Sequence, residues 1–186
     1  MKKIKTLIFD YYKNSTEIFD FLKDYEWSVF LYSNQEAFNK ERFDIISCCP
    51  IKKIIAYQNA TIVENNGSKK IYRDDPIDVL KKVVEPHLDT ELPDLPFSGG
   101  AIGYFSYDLG NKYESLKSVG QDLENIPIMA FGIYDWAIII DHKLKKTILV
   151  YKSENSLIQN IIKCLELNKF PHETERAYSI DSNCIS

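Results

Sequence analysis

The 186-residue sequence predicts an α+β fold: mostly antiparallel sheet, with a few helices to cover it. Three observations carry that prediction. Short apolar runs of strand length recur along the chain, bounded by proline, asparagine and glycine. Several are joined by connections of hairpin length, one of them holding Asn66-Gly67. Apolar residues at helical spacing are confined to three stretches.

Lys5 to Phe9 reads as the first strand. Asn14, with Glu17 three residues on, makes an asparagine variant of the capping box and opens an amphipathic helix through Phe19, Phe21 and Leu22 to about Tyr25. Trp27 to Ser33 is a second strand, ending in a polar turn at Asn34-Gln35. Phe43 to Cys49 is a third, closed by Pro50. Lys52 to Ala56 and Thr61 to Glu64 resume the sheet. Asn66-Gly67 then supplies the positive φ of a tight turn, and Lys69 to Arg73 completes the hairpin. Asp74-Asp75-Pro76 starts a helix, with proline in the first turn and acids at its positive end. Its apolar face is Ile77, Leu80, Val83, Val84 and Leu88.

Glu91 to Pro96 is a proline-marked linker into a glycine-rich strand, Pro96-Phe97-Ser98-Gly99-Gly100-Ala101-Ile102-Gly103-Tyr104-Phe105-Ser106-Tyr107-Asp108-Leu109-Gly110. Its glycines stand where neighbouring backbones must come close. A polar connection leads to one long strand from about Met129 to Asp141. The turn His142 to Lys145 folds that strand back into Thr147 to Lys152. Leu157, Ile161, Ile162 and Leu165 then mark a last amphipathic helix, between Glu154 and Leu167. Residues 1–173 read as one domain, and 174–186, which show no period, as a linker or frayed end. The run Ile138-Ile139-Ile140 is apolar at consecutive positions, so this strand is expected to be covered on both faces.

Composition narrows the function classes. With 45% hydrophobic and 27% charged residues the chain can bury a sizeable core. A net charge of -4 and a pI near 5.5 argue against a nucleic-acid or anionic-membrane partner. The N-terminal apolar run is too short for a signal peptide, and no run reaches the length of a membrane span, so a cytoplasmic protein is expected. Cys48, Cys49, Cys164 and Cys184 have no C-x-x-C spacing and read as thiols without a redox or metal role.

The candidate sites are weak when taken one by one. Gly99 to Gly103 lacks the Lys-Ser or Lys-Thr of a phosphate loop, and no helix start is expected after the glycines. Ile8-Phe9-Asp10-Tyr11-Tyr12 resembles the strand-plus-aspartate start of haloacid-dehalogenase-type phosphatases, but Tyr12 stands where their second carboxylate is needed. His87, His142 and His172 are scattered without metal-ligand spacing, and His142 reads as a surface turn residue. No catalytic residue and no metal site emerge from the residues alone.

The segments that do carry information are Pro96 to Gly110, above, and Ile126-Pro127-Ile128-Met129-Ala130-Phe131-Gly132-Ile133-Tyr134-Asp135-Trp136-Ala137-Ile138-Ile139-Ile140-Asp141-His142. Together they resemble a signature of the aminodeoxychorismate synthase component I family, whose near relatives are the anthranilate synthase component I proteins. Ser106 replaces the glycine usual before Tyr107-Asp108. The resemblance covers the N-terminal half of that family alone.

What the resemblance implies is specific. The fold is the N-terminal half of the chorismate-utilising anthranilate synthase component I-like fold. The parent enzyme is a transferase that makes 4-amino-4-deoxychorismate from chorismate, for para-aminobenzoate and folate biosynthesis. Chorismate and Mg²⁺ belong to the catalytic half, and ammonia comes from a glutamine amidotransferase subunit. This chain, without that half, is expected to be inactive and to carry no cofactor. The segment Leu31 to Asp44 is similar to an element that lines a tryptophan cleft in relatives. Carried over by position, the ligand residues are Ser33, Lys40, Glu41, Arg42 and Phe43, with Lys40-Glu41 standing where a relative has Tyr-Ser. Ser33 would bond a polar group, Phe43 would pack on the indole, and Arg42 would pair with the carboxylate. Two other readings remain: anthranilate synthase component I, and a stand-alone binding or interaction module without catalysis.

Overall fold

The strands form two five-stranded sheets, each the centre of its own compact unit, in a computed structural model that describes residues 3–33, 42–88, 92, 94–114 and 126–171. One unit draws on Met1–Cys49, Asp89–Gly99 and Tyr134–Ser186; the other on Pro50–Leu88 and Gly100–Ile133. The α+β class with antiparallel sheets is what the sequence predicted.

In the first unit the strands are β1 (Lys5–Asp10), β2 (Val29–Leu31), β3 (Phe43–Ser47), β9 (Trp136–Asp141) and β10 (Lys146–Tyr151). Their order is β1-β10-β9-β3-β2, and every neighbouring pair is antiparallel. β9 lies at the centre, pairing Ile139 with Ile148 on one side and with Ile45 on the other. Because side chains alternate along a strand, its isoleucines go to two different cores. Trp136, Ile138 and Ile140 join Ile46 and Leu149 under two helices, α1 (Ser15–Leu22) and α4 (Ser156–Glu166). Ala137 and Ile139 face the opposite way with Ile45 and Val150, covered by Phe43, Leu92, Leu95 and Phe97. The triple isoleucine is thus covered on both faces, as the sequence required.

The asparagines at the starts of α1 and α4 behave differently. Asn155 caps α4, its side chain accepting from the Ile158 N–H at 2.9 Å. Leu157, Ile158, Ile161 and Leu165 are buried; Ile162, read as part of that face, is only partly buried against the same core, and Ile158 takes its place. Asn14 does not close a capping box on α1. Its amide donates to the Glu17 carboxylate at 2.7 Å and leaves the backbone donors alone. The second strand is shorter than expected because Trp27 sits at φ 54°, a left-handed conformation that no strand contains. Cys49, at φ 51°, ends the third in the same way before Pro50.

The second unit holds β4 (Lys52–Tyr57), β5 (Ala60–Asn65), β6 (Ser68–Tyr72), β7 (Gly100–Phe105) and β8 (Met129–Tyr134), in the order β6-β5-β4-β8-β7. The β5–β6 hairpin turns at Asn66 (φ 47°) and Gly67 (φ 76°), the predicted positive pair. Helix α2 (Pro76–Val84) is capped by Asp75, whose carboxylate accepts from the Ile77 N–H at 2.9 Å. Val79 is its most buried apolar residue and packs with Ile54, Val63 and Met129. Leu88, read as part of that face, is exposed. The helix ends at Val84, and a 3₁₀ turn over Glu85–His87, containing Pro86, rotates the chain off the apolar stripe.

Two readings around the glycine-rich segment are corrected. The expected long strand from Met129 to Asp141 is two strands, β8 and β9, in different sheets. The break falls at Asp135, a poor strand former, whose carbonyl accepts from the Lys152 N–H at 2.9 Å. A helix does follow the glycines: α3 (Tyr107–Glu114) begins directly after Ser106, whose carbonyl accepts from the Leu109 N–H. The glycines themselves still lie in and beside a strand, not in a phosphate loop. At Gly103 a Cβ would stand 2.0 Å from the Ala130 carbonyl oxygen, so only glycine lets β7 approach β8.

Candidate functional site

The acidic residues at the β3 and β9 ends build the candidate site in the first unit. Asp44 is the second residue of β3 and is fully buried. Water is excluded, so its carboxylate must be met by protein donors. Ser33 meets one oxygen twice, through its N–H at 2.7 Å and its hydroxyl at 2.8 Å. The other oxygen, Oδ2, faces His142 Nε2 at 2.9 Å. That approach is not an aligned hydrogen bond, and neither atom has a hydrogen-bond partner among the described residues. The other imidazole nitrogen, Nδ1, is hydrogen-bonded to the Tyr11 hydroxyl at 2.9 Å. Lys145 stands over the Tyr11 ring, 4.6 Å from its centroid. His142 is therefore a buried member of a polar chain, not the surface turn residue expected from sequence.

Asp141, the last residue of β9, sits opposite Phe43 in the register and anchors the second half of the network. Arg42 Nε lies 3.0 Å from both of its oxygens. The backbone N–H groups of Lys143 and Leu144 donate to Oδ1 at 3.0 and 2.9 Å. Burial by itself would raise the Asp141 pKa; the Arg42 hydrogen bonds, helped by those N–H groups, outweigh it and hold the carboxyl below its usual range. The Arg42 guanidinium also lies 4.4 Å from the centroid of the Phe43 ring. Arg42 and His142 are joined through the backbone as well, the His142 N–H donating to the Arg42 carbonyl at 2.9 Å.

Of the residues carried over for ligand binding, Ser33, Arg42 and Phe43 thus lie at one end of this sheet, linked through Asp44, Asp141 and His142. Lys40 and Glu41 lie outside the described residues. Arg42 and Asp44 are not free surface charges. Each is tied into the network, and Asp44 is wholly buried. Sequence reading missed Asp44, Asp141, His142 and Tyr11 as parts of this site. The available signal was a carboxylate inside an apolar strand, Phe43-Asp44-Ile45-Ile46, and another directly after three isoleucines.

The resemblance implied Mg²⁺ for the parent enzyme, and this donor set does not suit it. The ion takes several oxygen ligands in octahedral array, whereas Asp44 and Asp141 are turned to Ser33 and Arg42. Among the described residues no three His, Cys, Asp or Glu side chains converge. None of the helices among those residues is long and apolar enough to cross a membrane.

Comparison with known proteins places this sheet pair in a defined class. The family model for chorismate-binding enzymes matches residues 28–182. Aminodeoxychorismate synthase component 1 of Escherichia coli (strain K12) is 38% identical over 127 residues, covering 67% of this chain and 28% of that protein. Anthranilate synthase component 1 of Acetivibrio thermocellus is 36% identical over 120 residues, covering 63% of this chain and 24% of that one. Among solved structures, anthranilate synthase component I from Streptococcus pneumoniae TIGR4 superposes with a TM-score of 0.53 at 28% identity, over 79% of this chain and 33% of its own. The chain belongs to the chorismate-binding enzyme family. It spans less than a third of the length of these curated relatives.

Proposed function

We propose that this chain is the N-terminal, tryptophan-cleft segment of an aminodeoxychorismate synthase component I acting in the cytoplasm. In that reading a catalytic segment of the family binds chorismate and Mg²⁺, and a glutamine amidotransferase subunit supplies ammonia. The product, 4-amino-4-deoxychorismate, leads to para-aminobenzoate and folate. The observation that carries the reading is the structural part played by Tyr134-Asp135-Trp136, the core of the motif. The chain leaves β8 and enters β9 there, and both aromatic donors are satisfied by backbone carbonyls: Tyr134 to Trp27 at 2.8 Å and Trp136 to Cys48 at 3.0 Å. Identity to the E. coli component supports the same branch.

The tryptophan part rests on Ser33, Arg42 and Phe43. The Ser33 hydroxyl donates to Asp44 and keeps acceptor capacity for a ligand N–H. Arg42 turns Nε and one terminal nitrogen toward Asp141, so its other terminal nitrogen is the one to pair with a ligand carboxylate. One specific observation favours a second reading, a binding module that works without a catalytic segment: the sheet around β9 is covered on both faces by this chain's own residues.

Purified chain, given chorismate, Mg²⁺ and ammonia, should form no product. Supplying the remaining two-thirds of a family member should yield 4-amino-4-deoxychorismate. Anthranilate as the product would move the chain to the other branch, and turnover by the chain alone would overturn the proposal. Calorimetry on the joined protein should show tryptophan binding that Ser33→Ala and Arg42→Ala each weaken by about 1–3 kcal/mol. Unchanged affinity in both would place the ligand elsewhere.

A further inference from the structure

The second unit contains a hollow of about 570 Å³ lying between α2, the end of β7 and α3. Its walls combine two carboxylates, Asp75 and Asp78, with the rings of Phe105 and Tyr113, both half-exposed. The carboxylates differ. Asp75 is committed, capping α2 and accepting from the Tyr113 hydroxyl at 2.8 and 2.7 Å. Burial and that hydrogen bond push Tyr113 up to about 12, so it stays a neutral donor locked onto Asp75. Asp78 is met at 3.6 Å by Lys81, one helical turn on, and both side chains are largely exposed. A pair of that kind contributes little and is easily displaced. Ser106 also lines the hollow; its hydroxyl oxygen is buried without a hydrogen-bond partner among the described residues.

We infer that this hollow receives an arginine side chain presented by a protein partner. The chemistry selects that group. Among the described residues the lining carries one more negative than positive side chain, from Asp75 and Asp78 against Lys81. A planar guanidinium can lie on the Phe105 ring and bond the Asp78 carboxylate in bidentate fashion; a lysine ammonium can do only part of this. A free small cation would be held weakly by walls this exposed. As one anchor of a larger contact, the same group is the kind that dominates interfaces. The inference is independent of the proposed enzyme reaction.

The probe is the tripeptide acetyl-Gly-Arg-Gly-amide, titrated into the isotopically labelled chain and followed by NMR. The expected result is a saturable shift of the Phe105, Ser106 and Asp78 signals. The lysine analogue should bind about three- to fivefold more weakly, and the uncharged citrulline analogue should not bind. Asp78→Asn and Phe105→Leu, each at an exposed position and each checked for unchanged backbone spectra, should abolish or weaken the response. Equal binding of the citrulline peptide, an unchanged response in Asp78→Asn, or no response in wild type would overturn the inference. So would light scattering that shows a dimer dispersed by Asp78→Asn, because the occupant would then be a second copy of the chain.

Discussion

At the scale of single residues, the buried carboxylate Asp141 is held charged by a partner that is itself partly in solvent. Replacing it with asparagine leaves Arg42 without its carboxylate and weakens the acceptor for the Lys143 and Leu144 N–H groups, an expected cost of about 1–3 kcal/mol near neutral pH. The sign with pH follows from the lowered pKa of the folded state. The stabilisation is fully present above the unfolded value of about 3.9 and is lost as pH falls through the folded one. Urea melts at pH 7 and pH 2.5 check this: wild type should lose more stability between them than Asp141→Asn, and an equal loss would refute it. Glycines give a second contrast. Gly103→Ala drives a methyl to 2.0 Å from a backbone oxygen, with an expected cost of about 3 kcal/mol; Gly110→Ala, in open space within α3, should stabilise by about 0.5–1 kcal/mol. Thermal melts of the two variants should move in opposite directions.

At the scale of elements, capping separates two asparagines that look alike in sequence. Asn155→Ala removes the acceptor for the Ile158 N–H and should destabilise by about 1 kcal/mol. Asn14→Ala removes two exposed side-chain contacts, with Glu17 and Thr16, and no backbone partner, so its effect should stay within about 0.5 kcal/mol. Equal denaturation midpoints for the two variants would contradict the assignment. The same contrast shows what was legible. Period and turn chemistry located β1, the β5–β6 hairpin, α2 and α4, because each is specified within its own stretch. Helix α3 was hidden because Gly110 weakens its local preference. The β8–β9 break was hidden because a strand that changes sheets looks continuous in hydropathy; only the partners, β4 for one half and β10 with β3 for the other, reveal it. The polar network escaped for a related reason. Asp44, His142 and Tyr11 are separated by up to 131 residues, and nothing local marks them as neighbours.

At the scale of the whole molecule, the question is whether the chain closes its own cores. The consecutive isoleucines of β9 require cover on both faces, and a chain spanning less than a third of its relatives' length could have left one face open. Instead, α1 and α4 take one face, and Leu92, Leu95 and Phe97 take the other. The second cover comes from the proline-marked segment that sequence reading assigned to a linker, so the residues that cover this face were not legible in the sequence. Removing α4 tests the arrangement. Its four buried residues, Leu157, Ile158, Ile161 and Leu165, contribute about 1.5–3 kcal/mol each, a sum comparable to the whole stability of a typical domain. The intact chain should therefore give a dispersed NMR spectrum without any partner. A truncation after Ser153 should lose that dispersion and bind a hydrophobic dye several-fold more strongly, as Trp136, Ile138, Ile140 and Leu149 come into water. Dye binding by the intact chain as strong as by the truncated one would show that the sheet needs a partner after all, and would weigh against the stand-alone reading.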